Sequence, residues 1–265
     1  PRSTLFPYTT LFRSRTVVID GYGGVLWEDF RRQLHKALKE KNISVYWYHI
    51  DSCLRPVEEI NDFCKDNLKG DDPVFGTKFN GELLDFFNTK FLELMQPDHT
   101  ANLCIVYGTG AALSGWKGKL LYIDVPKNEI QYRMRAGSIT NLGCKLAFAS
   151  TQMYKRFYFV DWPVLNKHKE DLLSQIDIIC DEQRMTDITW MYGTDFKESL
   201  QAILQSPFRA RPWFEAGVWG GHWMKKNIKG LNENEVNYAW SFELITPENG
   251  IVLEGEPVLD RKSVV

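Results

Sequence analysis

Several features that define large protein classes are absent from this 265-residue sequence. No apolar run approaches the roughly 20 residues that a membrane-spanning helix needs. The formal net charge is −2, which is too small to attract nucleic acid or an anionic membrane surface. Residues 6–12 lack the continuous apolar core of a signal peptide. We therefore expect neither a nucleic-acid partner, nor a membrane, nor secretion.

The sequence also has few residues of the kinds that form disulfide cross-links or bind a metal. Its five cysteines are scattered, odd in number and include no C-x-x-C pair, and its five histidines are equally dispersed. This usage is typical of a cytoplasmic protein with reduced thiols. It predicts no disulfide framework and no metal site within this chain.

Both ends of the chain look foreign to a natural protein. Residues 4–14 resemble the translation of a common short-read sequencing adaptor, and residues 260–265 resemble the same adaptor read in the opposite sense. We therefore interpret residues 1–14 as an adaptor-derived leader and residues 260–265 as an adaptor-derived tail, and expect both natural termini to be missing. The remaining length suits one full domain followed by part of another.

Strand and helix patterns alternate through residues 15–205. A β-branched run at residues 16–20 stops at Gly21 and predicts a buried strand. Helical spacing predicts helices at residues 27–40, 57–68, 81–95 and 127–135, and one that closes at 171–175. Further strands are predicted at residues 43–50, 102–107 and 119–125, with a last one at 176–180. This alternation predicts an α/β domain in which helices cover both faces of a parallel sheet.

The chain changes character near residue 205. The segment 205–212 carries two prolines and two arginines without periodicity, and we place the domain boundary there. Residues 206–259 are rich in tryptophan and glycine, and residues 237–245 alternate like a strand. We predict that they begin a second domain.

A glycine-rich turn follows the first predicted strand. Gly21, Gly23 and Gly24 lead into a helix, the layout in which backbone N–H groups bind phosphate. Counted from Gly21, the Gly-Lys-Ser/Thr positions of a Walker loop hold Leu26, Trp27 and Glu28. Trp27 removes the cation, and Glu28 places a negative charge where phosphoryl transfer needs positive charge. The turn is therefore a degenerate phosphate loop, or a simple turn before a helix, and we assign no catalytic residue.

The order of elements in residues 15–184 resembles the uridine kinase-like branch of P-loop kinases. Residues 104–108 match a strand that ends in Glu-Gly in that family, with Tyr107 in place of the acid. Residues 121–126, followed by Arg133 and Arg135, are similar to its strand and arginine-bearing helix. The resemblance implies a P-loop kinase-like sheet without kinase chemistry, a pseudo-kinase. Arg133 and Arg135 are then either relics of a phosphate clamp or ordinary solvated arginines.

Two motifs in the second domain resemble class I mannose-6-phosphate isomerases. Residues 211–221 end in Trp219-Gly220-Gly221, and residues 240–245 keep Ser241 and Glu243 of a Glu-Ser-Trp-Glu-Leu-Ser element, although Trp240 replaces its first glutamate. The resemblance implies the first strands of an incomplete cupin domain. That family uses zinc to interconvert mannose 6-phosphate and fructose 6-phosphate, with Gln, His, Glu and His ligands that would follow this segment. Structural roles for these motif residues remain open.

Three hypotheses follow. The first is that the chain is an inactive N-terminal fragment of an isomerase-like protein that acts on a sugar phosphate and carries zinc in its full-length form. The second is a pseudo-kinase module that binds a nucleotide or a sugar phosphate, or docks a partner. The third is an unorthodox small-molecule kinase, which would need a cation that Trp27 does not supply.

Overall fold

The computed structural model describes residues 15–70, 75–98, 100–205, 209–213, 229–230 and 241–245. The chain divides into two compact units, residues 1–196 and residues 197–265. The first unit contains a six-stranded sheet with helices, and the second contains a two-stranded sheet.

The described elements follow one another in the order strand, helix, strand through most of the first unit. The strands are β1 (Thr16–Gly21), β2 (Tyr46–His49), β3 (Cys104–Tyr107), β4 (Lys119–Asp124), β5 (Ile178–Asp181), β6 (Thr189–Tyr192), β7 (Arg209–Trp213) and β8 (Ser241–Ile245). The α-helices are α1 (Trp27–Glu40), α2 (Val57–Leu68), α3 (Thr89–Leu94), α4 (Lys127–Arg135), α5 (Ser150–Arg156), α6 (Trp162–Leu172) and α7 (Gly193–Leu204). Short 3-10 turns occupy Ile50–Cys53, Leu83–Phe86 and Ala111–Ser114, and a π-helical turn, Phe157–Asp161, joins α5 to α6.

The large sheet has the strand order β2-β3-β1-β4-β5-β6. Strands β1 to β5 are parallel, and β6 pairs with β5 in the antiparallel direction. The predicted α/β fold with a mostly parallel sheet is thus confirmed. Because β1 lies between β3 and β4, the order of strands reverses beside it, and the loops that leave these strands meet at one edge. Such a switch point is where open α/β sheets form ligand crevices.

The core lies around β1 and its two neighbours. Val17, Ile19 and Ile105 are fully or almost fully buried, as expected for strands covered on both faces. Helix α1 buries Phe30, Leu34 and Leu38, which recur every four residues and so share one face. Each buried side chain of this size stabilises the fold by about 1.5–3 kcal/mol.

The bounds predicted for α1, α2 and α4 agree with the structure, but the helix predicted at residues 81–95 is wrong. Phe87 is extended there, and Asn88 N donates to Cys53 O at 2.8 Å. The side chain of Asn88 then accepts from Lys90 N and caps the short helix α3. These contacts with a distant segment outweigh the local helical spacing.

The end of the first unit also differs from the prediction. The helix predicted to close at residues 171–175 is α6, which ends at Leu172. It is the last part of a longer helical segment that begins with α5. The strand predicted at 176–180 is β5, but it is followed by β6 and is not the last. Of the strand predicted at 237–245, the described part is β8, which pairs with β7. No helix in the described ranges is long and apolar enough to span a membrane.

Candidate functional site

The glycine-rich loop, residues 21–26, connects the carboxyl end of β1 to α1. Tyr22 N donates to Ile123 O at 2.8 Å and holds the loop against β4. Gly24 has φ of 92°, a left-handed conformation that glycine adopts without strain. A Cβ on Gly21 would lie 2.8 Å from Ile123 O, so the backbone packs too closely there for a side chain.

A carboxylate of the protein itself occupies the start of α1. Glu182, the residue after β5, accepts a hydrogen bond from Leu26 N at 3.0 Å through Oε2. Arg133 Nη1 donates to the same oxygen at 2.7 Å and to Gly24 O at 2.8 Å, while its Nη2 donates to Glu182 O. In phosphate-binding loops, N–H groups at a helix start bind the anion. Here the Leu26 amide binds Glu182.

The pair of Arg133 and Glu182 is deeply buried. Their side chains are 5% and 0% exposed. Burial raises the pKa of Glu182, and the hydrogen bonds from Leu26 N and Arg133 oppose that rise. Glu129 Oε1 takes a further hydrogen bond from Arg133 Nε at 2.9 Å. Glu182 Oε1 accepts no hydrogen bond from the residues that the structure describes. Loss of Arg133 would leave the buried Glu182 carboxylate without its cation, whereas loss of Glu182 would leave Arg133 paired with Glu129 alone.

The residues at the degenerate Walker positions make structural contacts. Trp27 Nε1 donates to Thr109 Oγ1 at 3.2 Å. Glu28 accepts from Arg31 Nη2 at 2.9 Å and from Tyr107 OH at 3.1 Å. The hydrogen bond from Arg31 is the main cause that lowers the pKa of Glu28. Glu28 is therefore negatively charged at neutral pH, beside the loop where a phosphate would need cations.

Asp20, at the carboxyl end of β1, connects neighbouring segments at this edge of the sheet through hydrogen bonds. It is fully buried, and its Oδ1 accepts from Gly21 N at 2.6 Å and Gly110 N at 2.9 Å. Its Oδ2 accepts from Ala112 N at 2.8 Å and contacts His168 Nε2 at 2.9 Å. Both oxygens are thus satisfied by the protein, which indicates a structural role.

A cleft of about 840 Å³ opens beside the glycine-rich loop. Residues 23–29 of the loop and of α1 form one side. The other sides come from the segment before and at the start of α2 (residues 54–58), from the loop after α4 (residues 138–145), and from the π-helical turn and α6. The volume suits a small molecule rather than a macromolecule.

Asp161, the last residue of the π-helical turn, lies in the cleft wall. Its side chain is fully buried, and Oδ2 accepts from Asn141 Nδ2 at 2.6 Å and from Leu142 N at 3.3 Å. Its other oxygen, Oδ1, accepts no hydrogen bond within the described part of the chain. Arg156 Nε lies 3.5 Å from Oδ1. Burial raises the pKa of Asp161, and Arg156 opposes this rise.

The comparison with protein-family models assigns this chain to a family. Residues 7–205 match a model described as a domain of unknown function, DUF8485. The chain belongs to the DUF8485 family. The match begins inside the predicted leader and ends at residue 205. The comparison with curated proteins finds no match.

Within the DUF8485 domain, the residues singled out from the sequence separate into three groups. Five of the six loop positions line the cleft: Gly23, Gly24, Leu26, Trp27 and Glu28. Gly21 is not among the lining residues, and its backbone packs closely against Ile123 O of β4. Of the two candidate clamp arginines, Arg133 is buried against Glu182, whereas Arg135 is exposed.

The candidate residues after position 205 belong to the second unit. Trp219, Gly220 and Gly221 lie outside the described residues. Ser241 and Glu243 belong to β8, where the backbone alone is described. No group of three His, Cys, Asp or Glu side chains that could hold a metal ion occurs among the residues with described side chains.

Sequence reasoning missed the polar residues that organise the DUF8485 domain: Asp20, Glu182, His168, Asn141 and Asp161. Two of them carried a recognisable signal. Asp161 is a lone acid within the aromatic run 157–162, where burial of a charge needs a reason. Glu182 follows a buried strand directly, at the sheet edge where sites form in such folds.

Proposed function

We propose that residues 15–196 form a pseudo-kinase domain that transfers no phosphate and binds a small molecule in the cleft. The observation that carries this proposal is the position of Glu182. Its carboxylate, bound by Arg133, takes the Leu26 amide that a phosphate would need. An incoming phosphate would have to displace a buried ion pair, at a cost of about 3–5 kcal/mol.

The charges around the loop support the loss of kinase chemistry. Phosphoryl transfer depends on cations that converge on the transferring oxygens. Trp27 stands where a lysine would be needed, and Glu28 adds a negative charge. The guanidinium of Arg133 lies near the loop, but Glu182 and Gly24 O already bind it. The alternative of an unorthodox kinase therefore lacks a cation at the loop.

An ATP turnover assay with a panel of nucleosides and sugars tests this proposal. The chain should neither hydrolyse ATP nor transfer its phosphate. Glu182→Ala should gain affinity for inorganic phosphate, since it releases Leu26 N and Arg133 together. Glu182→Gln is the matched control, because its amide oxygen can still accept from Leu26 N. Turnover by the wild-type chain that is lost on mutation of the loop glycines would overturn the proposal.

We also propose that the second unit belongs to a mannose-6-phosphate isomerase-like cupin domain. Its two motifs lie at residues 211–221 and 240–245. In support, the strands that carry parts of both motifs are direct neighbours. Strand β7 pairs with β8 so that Arg211 faces Glu243 and Trp213 faces Ser241. Such a pair leaves strand edges to be covered by further strands of a barrel.

The isomerase reaction requires a metal that polarises the sugar oxygens and a base that moves a proton between adjacent carbons. The described residues include no three-ligand group for zinc, so no step of that reaction is assigned to them. The proposal requires a gene that also encodes the zinc ligands of that family, a Gln-x-His pair, a Glu and a distant His. Its product should bind zinc and convert mannose 6-phosphate. A gene product with these ligands and no conversion would overturn the isomerase proposal.

We further propose that the protein acts in the cytoplasm without a nucleic-acid or membrane partner. All five cysteines are free thiols, and four of them are buried. The net charge of −2 supports no electrostatic attraction to polyanions. A cell-fractionation experiment tests this location, and recovery of the protein with membranes would contradict it.

A further inference from the structure

The Asp161 carboxylate has an unused hydrogen-bonding capacity in a place where that is costly. An unsatisfied buried polar group destabilises a fold by about 1–3 kcal/mol, more when it is charged. Asp161 is fully buried, and its Oδ1 accepts no hydrogen bond within residues 15–205 as described. Arg156 Nε, 3.5 Å away, likewise makes no hydrogen bond there. Arg156 thus balances the charge of Asp161 as an ion pair, but Oδ1 still lacks a hydrogen-bond donor from the described residues and can accept one from a ligand.

The backbone around Asp161 carries a second feature typical of a functional site. Residues 157–161 form a π-helical turn between two α-helices. Single π-turns of this kind insert one residue into a helix and occur frequently at functional sites. The turn brings Asp161 to Asn141 and Leu142 of the loop after α4. This loop is one side of the cleft.

The neighbours of Asp161 in the cleft are mainly neutral. Ser138, Thr140 and Asn141 supply hydroxyl and amide groups, and Phe157 and Leu165 supply apolar surface. A mixture of a few polar groups with an apolar wall is the usual lining of a small-molecule site. Hydroxyls and amides recognise hydroxyl groups without requiring a charge on the ligand.

The ionisable side chains of the cleft disfavour an anion. Five acidic residues line it against two basic ones: Glu28, Asp29, Asp51, Glu58 and Asp161 against Arg55 and Lys145. Many of these charges are already paired: Arg55 with Glu59, and Glu28, Asp29 and Asp161 with Arg31, Arg32 and Arg156. Because Arg55 is engaged and the lining acids outnumber the lining bases, the cleft offers a phosphate group little cationic attraction.

We propose that the cleft binds a neutral, polyhydroxylated small molecule, with a ligand hydroxyl that donates to Asp161 Oδ1. A free sugar and the ribose of a nucleoside share this chemistry. The inference rests on the proposed binding function and sharpens it, because it excludes the sugar phosphates and nucleotides that the sequence left open. The Thr140 hydroxyl, and Ser138 Oγ as an acceptor because it already donates to Arg133 O, would bind neighbouring hydroxyls of the ligand, while Asn141 donates to Met153 O and to Asp161 and positions that carboxylate.

Calorimetric titration of the full chain with mannose, glucose, uridine, mannose 6-phosphate and uridine 5′-monophosphate tests the proposal. At least one neutral compound should bind, and the phosphorylated compounds should bind more weakly than their neutral counterparts. Preference for mannose or glucose identifies a sugar as the ligand, and preference for uridine identifies a nucleoside. Tighter binding of mannose 6-phosphate than of mannose would overturn the inference and leave the binding function in place. Failure of every compound in this panel and in a broad metabolite screen would overturn both.

Two variants locate the site. Asp161→Asn should weaken binding of the neutral ligand by at least about tenfold, since hydrogen bonds to charged groups contribute about 1.5–3 kcal/mol. Asp62→Asn, an exposed aspartate on α2 outside the cleft, should leave affinity unchanged. Glu58→Lys, at an exposed position in the cleft lining, should improve binding of mannose 6-phosphate relative to mannose. Equal affinities of wild type, Asp161→Asn and Glu58→Lys for every ligand would refute the assignment.

Discussion

Buried carboxylates lie both near the glycine-rich loop and in the cleft wall, and their hydrogen bonds and surroundings differ. Near the loop, Asp20 has both oxygens bound by the protein. Glu182 has Oε2 bound twice and Oε1 without a hydrogen bond from the described residues, and it does not line the cleft. In the wall, Asp161 has one oxygen bound twice and the other unbound, and it lines the cleft. Asp161 therefore differs from Asp20 in having an oxygen without a hydrogen bond, and from Glu182 in lining the cleft.

Arg133→Met should give the largest effect on the loop side of this comparison. It leaves Glu182 buried without its cation and removes the donor to Gly24 O, so we expect a loss of about 3–5 kcal/mol of unfolding free energy. Arg135→Met, two residues away and exposed, is the matched control and should leave stability unchanged. Urea denaturation followed by circular dichroism measures both. Equal effects would show that Arg133 is an ordinary surface arginine.

The isosteric pair Asp20→Asn and Asp161→Asn tests the contrast directly. Asp20 accepts hydrogen bonds at both oxygens, and an amide cannot replace both acceptors, so we expect a loss of about 3 kcal/mol. In Asp161→Asn the amide oxygen can keep the bonds from Asn141 and Leu142. Arg156 loses its carboxylate at 3.5 Å but keeps its bonds to Asn61 and Leu142, so the loss should be smaller, about 1–2 kcal/mol. Denaturation midpoints of the two variants measure these losses of stability. A larger loss of unfolding free energy for Asp161→Asn than for Asp20→Asn would show that Asp161 has the larger structural role.

The contribution of Asp161, in the cleft wall, to the pH dependence of stability should be smaller than the effects of these substitutions. Burial raises the pKa of Asp161, so the native state keeps this proton to higher pH than the unfolded chain does. Stability contributed by the protonated carboxyl is present at acid pH and falls as pH rises through the raised pKa. The stability of wild type relative to Asp161→Asn should therefore fall as pH rises from the ordinary range of an aspartate through the raised pKa of Asp161. Thermal melts of both proteins across this range provide the measurement, and a difference that grows with pH would contradict the account.

Strongly periodic segments could be predicted from the sequence, and contacts between distant segments could not. The bounds of α1 and α2 follow from apolar residues on one face. The break at Asn88 depends on a bond to Cys53, far away in sequence, which no local pattern contains. For the same reason the loop glycines and Arg133 could be named as candidates, but the contacts of the Glu182 carboxylate with Leu26 N and Arg133 could not be predicted.

The central claim is that the Leu26 amide is already bound by Glu182 and is closed to phosphate. Titration of the isotope-labelled chain with inorganic phosphate, followed at the Leu26 amide by nuclear magnetic resonance, tests this most directly. The account predicts that this resonance stays unshifted in the wild-type chain and moves saturably in Glu182→Ala. A saturable shift of the Leu26 amide in the wild-type chain would contradict it.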